Sequence, residues 1–338
     1  MSDCRRHILS LCLAITAIVT TSLACGAQTD AQLSQYYETP SYYNPAAIGN
    51  TDMVHIRAGS RLQWVGIDNA PKTFLATADM PVKIGNRRIA VGLTANSESA
   101  GLFSNLSVNL QAAYKFKLLK GVMTAGVQLG FANEVFRGSD VFIPDGDDFH
   151  EPTDDAIPRT DVSGNAFDVG AGVFYTHRYF WAGVSATHLT APTITFSDSQ
   201  NSSGGSSSTD ATRGNYEFQL RRTLYFMAGG NIPIKNTLFE VLPSLMVKSD
   251  FQFTRAELTG RMRYKKLFSF GIGYRHDDAV IATFGVEIKG FYVGYSYDYP
   301  VSAISKASSG SHEIIAGYNL KLNLSDKNKN KHKSIRIM

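Results

Sequence analysis

Residues 106–116 read LSVNLQAAYKF, and the character of their side chains alternates along the chain. One face collects the apolar and aromatic residues and the other the polar ones: Leu106, Val108, Leu110, Ala112, Tyr114 and Phe116 against Ser107, Asn109, Gln111 and Lys115. Successive side chains of a β-strand point to opposite faces, so a period of two indicates a strand. The segment therefore predicts a strand with one apolar and one polar face.

The same alternation recurs along most of the chain, for example at 268–275, 280–288 and 291–299. Most of the segments are near the 9–11 residues that a tilted transmembrane strand needs. Fourteen strands are predicted, at 52–61, 73–82, 88–96, 104–117, 121–133, 165–177, 179–189, 216–229, 239–248, 251–262, 267–276, 279–288, 291–300 and 312–322.

The connections between these strands fall into two classes. Those after even-numbered strands are mostly short and often basic, whereas several after odd-numbered strands are long and polar, at 134–164, 190–215 and 301–311. A soluble β-sandwich, the alternative, has no reason to separate loop lengths in this way. The pattern predicts an all-β transmembrane antiparallel barrel in the cell outer membrane, with short periplasmic turns and longer extracellular loops.

The first thirty residues resemble a secretory signal. Arg5 and Arg6 precede an apolar stretch at 8–19, and small residues follow at 24–27. That stretch is shorter than the roughly 20 residues of a spanning helix, so a cleaved signal is favoured over an anchor. Lipid attachment at Cys25 is the minority alternative. All three cysteines precede the expected cleavage point, which leaves the mature chain without thiols.

Four segments follow from these observations: a signal peptide at 1–27, an N-terminal periplasmic or lumenal segment at 28–51, the barrel at 52–322 and a basic periplasmic tail at 323–338. After the signal there is no run of 18 apolar residues, so any membrane crossing must be made by strands. The aromatic content, 16 Tyr and 20 Phe, fits lipid-facing positions and girdles at the headgroups.

The sequence offers little chemistry. The eight histidines are scattered without metal-binding spacing, so no catalytic residue, cofactor or metal site is predicted. Residues 134–161 hold nine acidic residues against two arginines, for which a solvated external loop is favoured over a calcium site. An outer-membrane hydrolase stays open as a minor alternative, and nucleic acid is an unsuitable partner for an exported chain.

Three stretches are more distinctive: QLSQYYETPSYYNPAAIGN at 32–50, QWVGIDNAPKT at 63–73, and GFYVGYSYDYPVSAISKASSGSHEIIAGYNL at 290–320. Together they resemble the PorP/SprF family of the type IX secretion system of Bacteroidota. The candidate family-motif residues are Asn44, Pro45, Trp64, Gly66, Pro71, Lys72, Thr73, Ser311, His312 and Glu313. Turn chemistry alone explains several of them, because Asn and Pro favour turns, so they are either structural or partner-binding residues.

The resemblance implies a non-enzymatic outer-membrane component that supports protein secretion or surface display, and in some members gliding motility. Its expected partners are periplasmic or outer-membrane secretion proteins and outer-membrane lipid, with a secreted adhesin as a further candidate. The alternative is an outer-membrane channel or transporter for a small solute, which the barrel pattern alone does not separate from the first function.

Overall fold

The computed structural model describes residues 30–85, 87–141, 160–198 and 217–322. Fourteen antiparallel strands form a closed barrel, which confirms the predicted fold and strand number. Numbered in chain order together with four short extra strands, the barrel strands are β1 (Met53–Leu62), β2 (Lys72–Ile84), β3 (Arg87–Ala100), β4 (Phe103–Leu118), β5 (Gly121–Phe136), β6 (Val162–Thr176), β7 (Phe180–Thr187), β11 (Thr223–Gly230), β13 (Phe239–Ser249), β14 (Thr254–Tyr264), β15 (Phe268–Arg275), β16 (Ala279–Ile288), β17 (Phe291–Pro300) and β18 (Ser311–Lys321).

Each strand pairs with its neighbours in the chain, and the ring closes where β1 meets β18, with Met53 opposite Lys321. The alternation of β4 shows why this sequence forms a barrel. Leu110 is 65% exposed on the outer face, whereas Gln111 is 4% exposed on the inner face. Apolar side chains thus face outward, as lipid requires, and polar side chains face the lumen.

The region of the eighth predicted strand, 216–229, differs from the prediction. Only β11 belongs to the barrel, while Glu217–Gln219 forms β10 and pairs with β8 (Thr193–Thr195) in a separate two-stranded sheet. The alternation breaks at the adjacent Arg221 and Arg222, where the chain turns between the two sheets. Two further short strands extend the barrel wall, β9 (Ser197–Asp198) on β6 and β12 (Ile232–Pro233) on β13.

Several other strand limits differ from the prediction by a few residues. β3, β5 and β6 extend further toward the end of the barrel that carries the long connections. We call this end the long-loop end and the opposite one the short-turn end. The long-loop end carries the connections 63–71, 137–161, 188–222 and 301–310, which include the short helices Gly138–Asp140 and Ala303–Lys306. The remaining three connections there, such as that between β3 and β4, are short.

Residues 30–50, here called the lumenal segment, lie inside the barrel. The segment begins near His188 at the long-loop end and reaches β1 at the short-turn end. It contains one helical turn, α1 (Pro40–Tyr43), and a short 3-10 helix (Pro45–Ala47). Most of its side chains are buried, including Leu33, Tyr36, Tyr43 and Ile48. Within the described ranges no helix is long and apolar enough to cross a membrane.

Candidate functional site

A network of charged side chains surrounds Ser34 of the lumenal segment. The Ser34 hydroxyl donates to the Asp298 carboxylate at 2.7 Å. The same oxygen accepts hydrogen bonds from Arg61 at 2.9 Å and from Arg275 at 2.8 Å. Arg61 pairs with Asp298 at 2.7 Å, and Arg275 pairs with Glu257 at 2.7 Å. Because all five side chains are buried, one small hydroxyl links the two arginines and Asp298 of a buried ionic network.

Glu313 holds the backbone next to this hydroxyl. Its two carboxylate oxygens accept hydrogen bonds from the Ser34 amide at 2.7 Å and the Gln35 amide at 2.9 Å. Arg61 lies 3.3 Å from the same carboxylate and balances its charge. We call the five charged side chains around Ser34 the Ser34 cluster. They come from five different strands: Arg61 from β1, Glu257 from β14, Arg275 from β15, Asp298 from β17 and Glu313 from β18.

The other end of the lumenal segment packs on the opposite wall. The Asn44 side chain donates to the carbonyl oxygens of Val173 at 3.1 Å and Val184 at 3.3 Å, and it accepts from the Ala46 amide at 2.8 Å. A Cβ added to Gly126 on β5 would lie 2.5 Å from the backbone of Pro45 and Ala46. The missing side chain of Gly126 therefore leaves the space in which the 3-10 helix lies.

The first described residue of the segment is held by ionic contacts. His188 lies 3.0 Å from the Asp30 carboxylate and 3.1 Å from that of Asp168, and Lys248 donates to the Asp30 carbonyl oxygen at 2.6 Å. Burial alone would lower the pKa of His188, but these two carboxylates raise it to about 10. Burial would raise the pKa of Asp30, yet the charge of His188 keeps it well below its usual range.

The first and last long connections contact each other at the long-loop end. The Trp64 amide donates to the Ser311 hydroxyl at 3.1 Å, and the Val65 amide donates to the Gly310 carbonyl oxygen at 2.8 Å. The Gln63 amide donates to the Pro71 carbonyl oxygen at 2.9 Å, which closes the first connection on itself. Gly66 adopts a φ of 103°, a conformation that favours glycine. The motif residues of these two connections are thus neighbours in space.

The remaining motif residues divide between the two faces of the barrel wall. Glu313 and Thr73 are buried and face the lumen, whereas Lys72 is exposed at the start of β2. His312 lies on the outer face, where it hydrogen-bonds the Tyr295 hydroxyl at 2.7 Å. The structure therefore brings Glu313 to the lumenal segment and Ser311 to Trp64, and it separates His312 from both.

Sequence reasoning did not single out Arg61, Glu257, Arg275 or Asp298 as site residues. Arg275 and Asp298 were visible as polar members of alternating strands, and a charge on a lumen-facing position is a signal for a buried network. Their common partner Ser34 is 264 residues from Asp298 in the chain, a relation that no local pattern reveals. In the described ranges no group of three or more histidine, cysteine or acidic residues is arranged to hold a metal ion. The candidate calcium loop falls mostly at 142–159, outside the described residues.

These features define a class of protein, an outer-membrane β-barrel whose lumen is occupied by its own N-terminal segment. A family model described as the type IX secretion system membrane protein PorP/SprF matches residues 25–318. The chain therefore belongs to the PorP/SprF family of outer-membrane proteins of type IX secretion. No curated protein matches the sequence.

Solved outer-membrane proteins are among the structures to which the chain is similar. Omp33 of Acinetobacter baumannii is 7% identical, with a TM-score of 0.43 over 80% of this chain and 98% of that chain. A FadL homologue of Pseudomonas aeruginosa is 10% identical, with a TM-score of 0.47 over 84% of this chain and 94% of that chain. The translocator domain of NalP from Neisseria meningitidis is 14% identical, with a TM-score of 0.41 over 80% and 86%. At these identities the likeness concerns the barrel fold alone.

Proposed function

We propose that this protein is a non-enzymatic component of the type IX secretion system, which supports secretion or surface display by anchoring periplasmic or exported partner proteins at the outer membrane. The observation that carries the proposal is the occupied lumen. The lumenal segment crosses the barrel and is held at both ends by buried polar contacts. A filled lumen favours a role at the two ends of the barrel over diffusion of a solute through it.

The proposed orientation places the long-loop end outside the cell and the short-turn end in the periplasm, as is usual for outer-membrane barrels. The outer face of the wall contacts lipid, and the strands form their backbone hydrogen bonds with one another. Specific contacts with proteins must therefore come from the connections and the termini. The paired connections around Trp64 and Ser311 give the long-loop end a defined surface, and the five lysines and one arginine at 321–336 give the chain a basic tail.

The contacts of the described histidines bear on whether this protein could catalyse a reaction. Among the described histidines, His188 is held between two carboxylates, and His312 contacts a tyrosine on the lipid-facing side. Neither of these two arrangements places a hydroxyl nucleophile beside a base that a third group orients, which is what a triad requires. His55 does contact a hydroxyl and a carboxylate, with Thr51 at 2.9 Å and Asp79 at 3.3 Å from its two ring nitrogens. We propose a binding role without a reaction on the family membership and the occupied lumen, and not on the histidines.

The test is a deletion strain complemented with three versions of the gene: the full chain, one lacking residues 325–338, and one shortened within 140–160. Surface and culture-medium proteomes are then compared. We expect the tail deletion to impair retention of a periplasmic partner and the loop deletion to impair surface display. Because docking of an exposed basic tail is screened over about 8 Å at physiological salt, partner retention should weaken as salt rises.

The control is recovery of each version in the outer-membrane fraction with a heat-dependent shift on gels, which shows that the barrel has folded. If both deletions leave secretion and display intact while the purified full chain passes small solutes across planar bilayers, the channel function replaces this proposal.

A further inference from the structure

A cavity of about 330 Å³ lies at the long-loop end of the lumen. Its apolar lining includes Trp64, Phe103, Phe218 and Leu220, and its acidic lining consists of Glu98 and Glu134. We call it the mouth cavity. Its volume falls at the lower end of the range in which proteins bind small ligands or single large side chains. It is separate from the Ser34 cluster, none of whose residues lines it.

The two carboxylates occupy one row across the barrel wall. Glu98 on β3 is directly opposite Asn105 on β4, and Asn105 is directly opposite Glu134 on β5. Directly opposite residues of an antiparallel pair have Cβ atoms about 5 Å apart, so both carboxylates flank one neutral amide on the lumenal side. Asn105 donates to Glu134 at 2.7 Å. The amide satisfies an acceptor of Glu134 but carries no charge, whereas Glu98 has Lys248 and Arg61 in its electrostatic surroundings.

This lack of a cation distinguishes Glu134 from the other buried carboxylates of the described residues. Each of the others lies within 4.0 Å of an arginine or a histidine: Asp79, Asp168, Glu257, Asp278, Asp298 and Glu313. Glu134 is 5% exposed and has no such neighbour. Buried charges are normally paired because desolvation without a partner is costly. A buried carboxylate that has no arginine, lysine or histidine within 4.0 Å and lies beside a cavity with room for one is suited to a cationic ligand.

The aromatic side chains that line the mouth cavity indicate which kind of cation it would bind. The rings of Phe103 and Phe218 have centroids 6.2 Å apart, and Trp64 lines the same cavity. Aromatic faces attract cations, and a guanidinium group both stacks on rings and binds carboxylates through paired hydrogen bonds. The ammonium group of lysine is not planar, so it does not combine stacking on a ring with paired hydrogen bonds to a carboxylate.

We propose that the mouth cavity is a binding site for an arginine side chain presented by a partner protein at the long-loop end, with Glu98 and Glu134 as its anionic partners. Because the cavity opens among the connections of that end, an extended segment of a partner can place one side chain in it without displacing the lumenal segment. This assignment does not depend on the secretion role, since the purified barrel can bind or fail to bind the side chain whatever its phenotype in cells.

The test uses the purified mature chain in detergent, titrated by calorimetry with acetyl-Gly-Arg-Gly-amide and with the same peptide carrying citrulline, which has the shape of arginine without its charge. We expect saturable binding of the arginine peptide and at least about tenfold weaker binding of the citrulline peptide, the size expected for loss of a charge-assisted hydrogen bond. E98Q/E134Q should lose the preference for arginine. E217Q, which changes an exposed carboxylate of β10 outside the cavity, should keep it.

Heat-shift gels establish that each variant is folded, and E98Q alone provides a milder change if the double variant fails. Equal binding of the two peptides, absence of binding, or unchanged binding by folded E98Q/E134Q would overturn the proposal. Tighter binding of free spermidine than of the arginine peptide would identify a small-cation site and overturn the partner assignment. Binding that appears only after residues 202–208 are deleted would make the chain's own connection the occupant and would overturn it as well.

Discussion

At the scale of single residues, Glu313 is the side chain that joins the barrel wall to the backbone of the lumenal segment. It lies beside His312 in the sequence, yet the two side chains lie on opposite faces of β18. Glu313 accepts hydrogen bonds from two consecutive amides, one on each oxygen of its carboxylate. The neighbouring pair thus offers a variant and its control at adjacent positions.

We predict that E313Q loosens the start of the lumenal segment, because the neutral amide loses one acceptor and leaves Arg61 short of a countercharge. The measurement is the rate at which a small maleimide labels the thiol of A31C in a chain expressed from residue 28, which lacks the three native cysteines because all of them precede that position. We expect labelling to be at least about tenfold faster in E313Q, since charged hydrogen bonds contribute about 1.5–3 kcal/mol. H312Q should label as slowly as the parent. Equal rates in both variants would show that Glu313 does not hold the segment.

His188 makes the attachment of Asp30 dependent on pH. The pKa of His188 is raised to about 10 in the folded protein, so the ionic contribution is complete below the unfolded value near 6.5 and is lost as pH rises through about 10. We predict that the thermal transition of the parent falls between pH 6.5 and pH 10, measured by scanning fluorimetry. H188Q should be less stable at the lower pH and should show a smaller fall. H276Q, at an exposed histidine, should follow the parent, and a parallel fall in H188Q would contradict the assignment.

At the scale of elements, side-chain alternation determines which segments form strands, whereas the positions of glycines determine where the lumenal segment fits against the wall. Alternation was sufficient to predict the fourteen strands because every strand meets lipid on one face and the lumen on the other, a local constraint that each segment carries by itself. It failed at 216–229, where the two halves of the predicted strand pair with different strands, β8 and β7. The alternation ends between them at Arg221 and Arg222. It also gave no account of how residues 30–50 pack, because several of their contacts are made with residues more than a hundred positions away.

Glycines of β5 and β6 lie where the lumenal segment packs closely against the barrel wall. We predict that G126A displaces the 3-10 helix, since a Cβ there would lie 2.5 Å from the Pro45 backbone, and overpacking of this kind costs about 1–3 kcal/mol. G260A is the matched control, because a Cβ on Gly260 of β14 has nothing within 4 Å. Maleimide labelling of A46C should accelerate in G126A and not in G260A. If the two variants label alike, the close approach at Gly126 does not position the helix.

At the scale of the whole molecule, the barrel and its lumenal segment form one unit with two attachment regions. The Ser34 cluster fixes the segment to β1, β14, β15, β17 and β18, and Asn44 fixes it to β6 and β7 on the opposite wall. Departure of the segment must separate Ser34 from both arginines and expose the tyrosines of α1 at the same time. Each hydrogen bond to a charged group contributes about 1.5–3 kcal/mol, and the Ser34 hydroxyl makes several of them.

We therefore expect the open barrel to be a minor state unless a partner binds it preferentially, and the last prediction follows from this. Deletion of residues 31–48 should give a barrel that still shifts on heating but conducts ions in planar bilayers, because fourteen strands enclose a wider lumen than the eight-stranded barrels that side chains can fill. The full chain should show no current steps, and neither should a chain lacking residues 202–208, which removes residues without removing the lumenal segment. Steps of equal size and frequency in all three would mean that the segment does not close the lumen. A deletion variant that folds yet stays closed would mean that other side chains close it, in which case the polar inner wall, and not the N-terminal segment, determines whether this protein conducts.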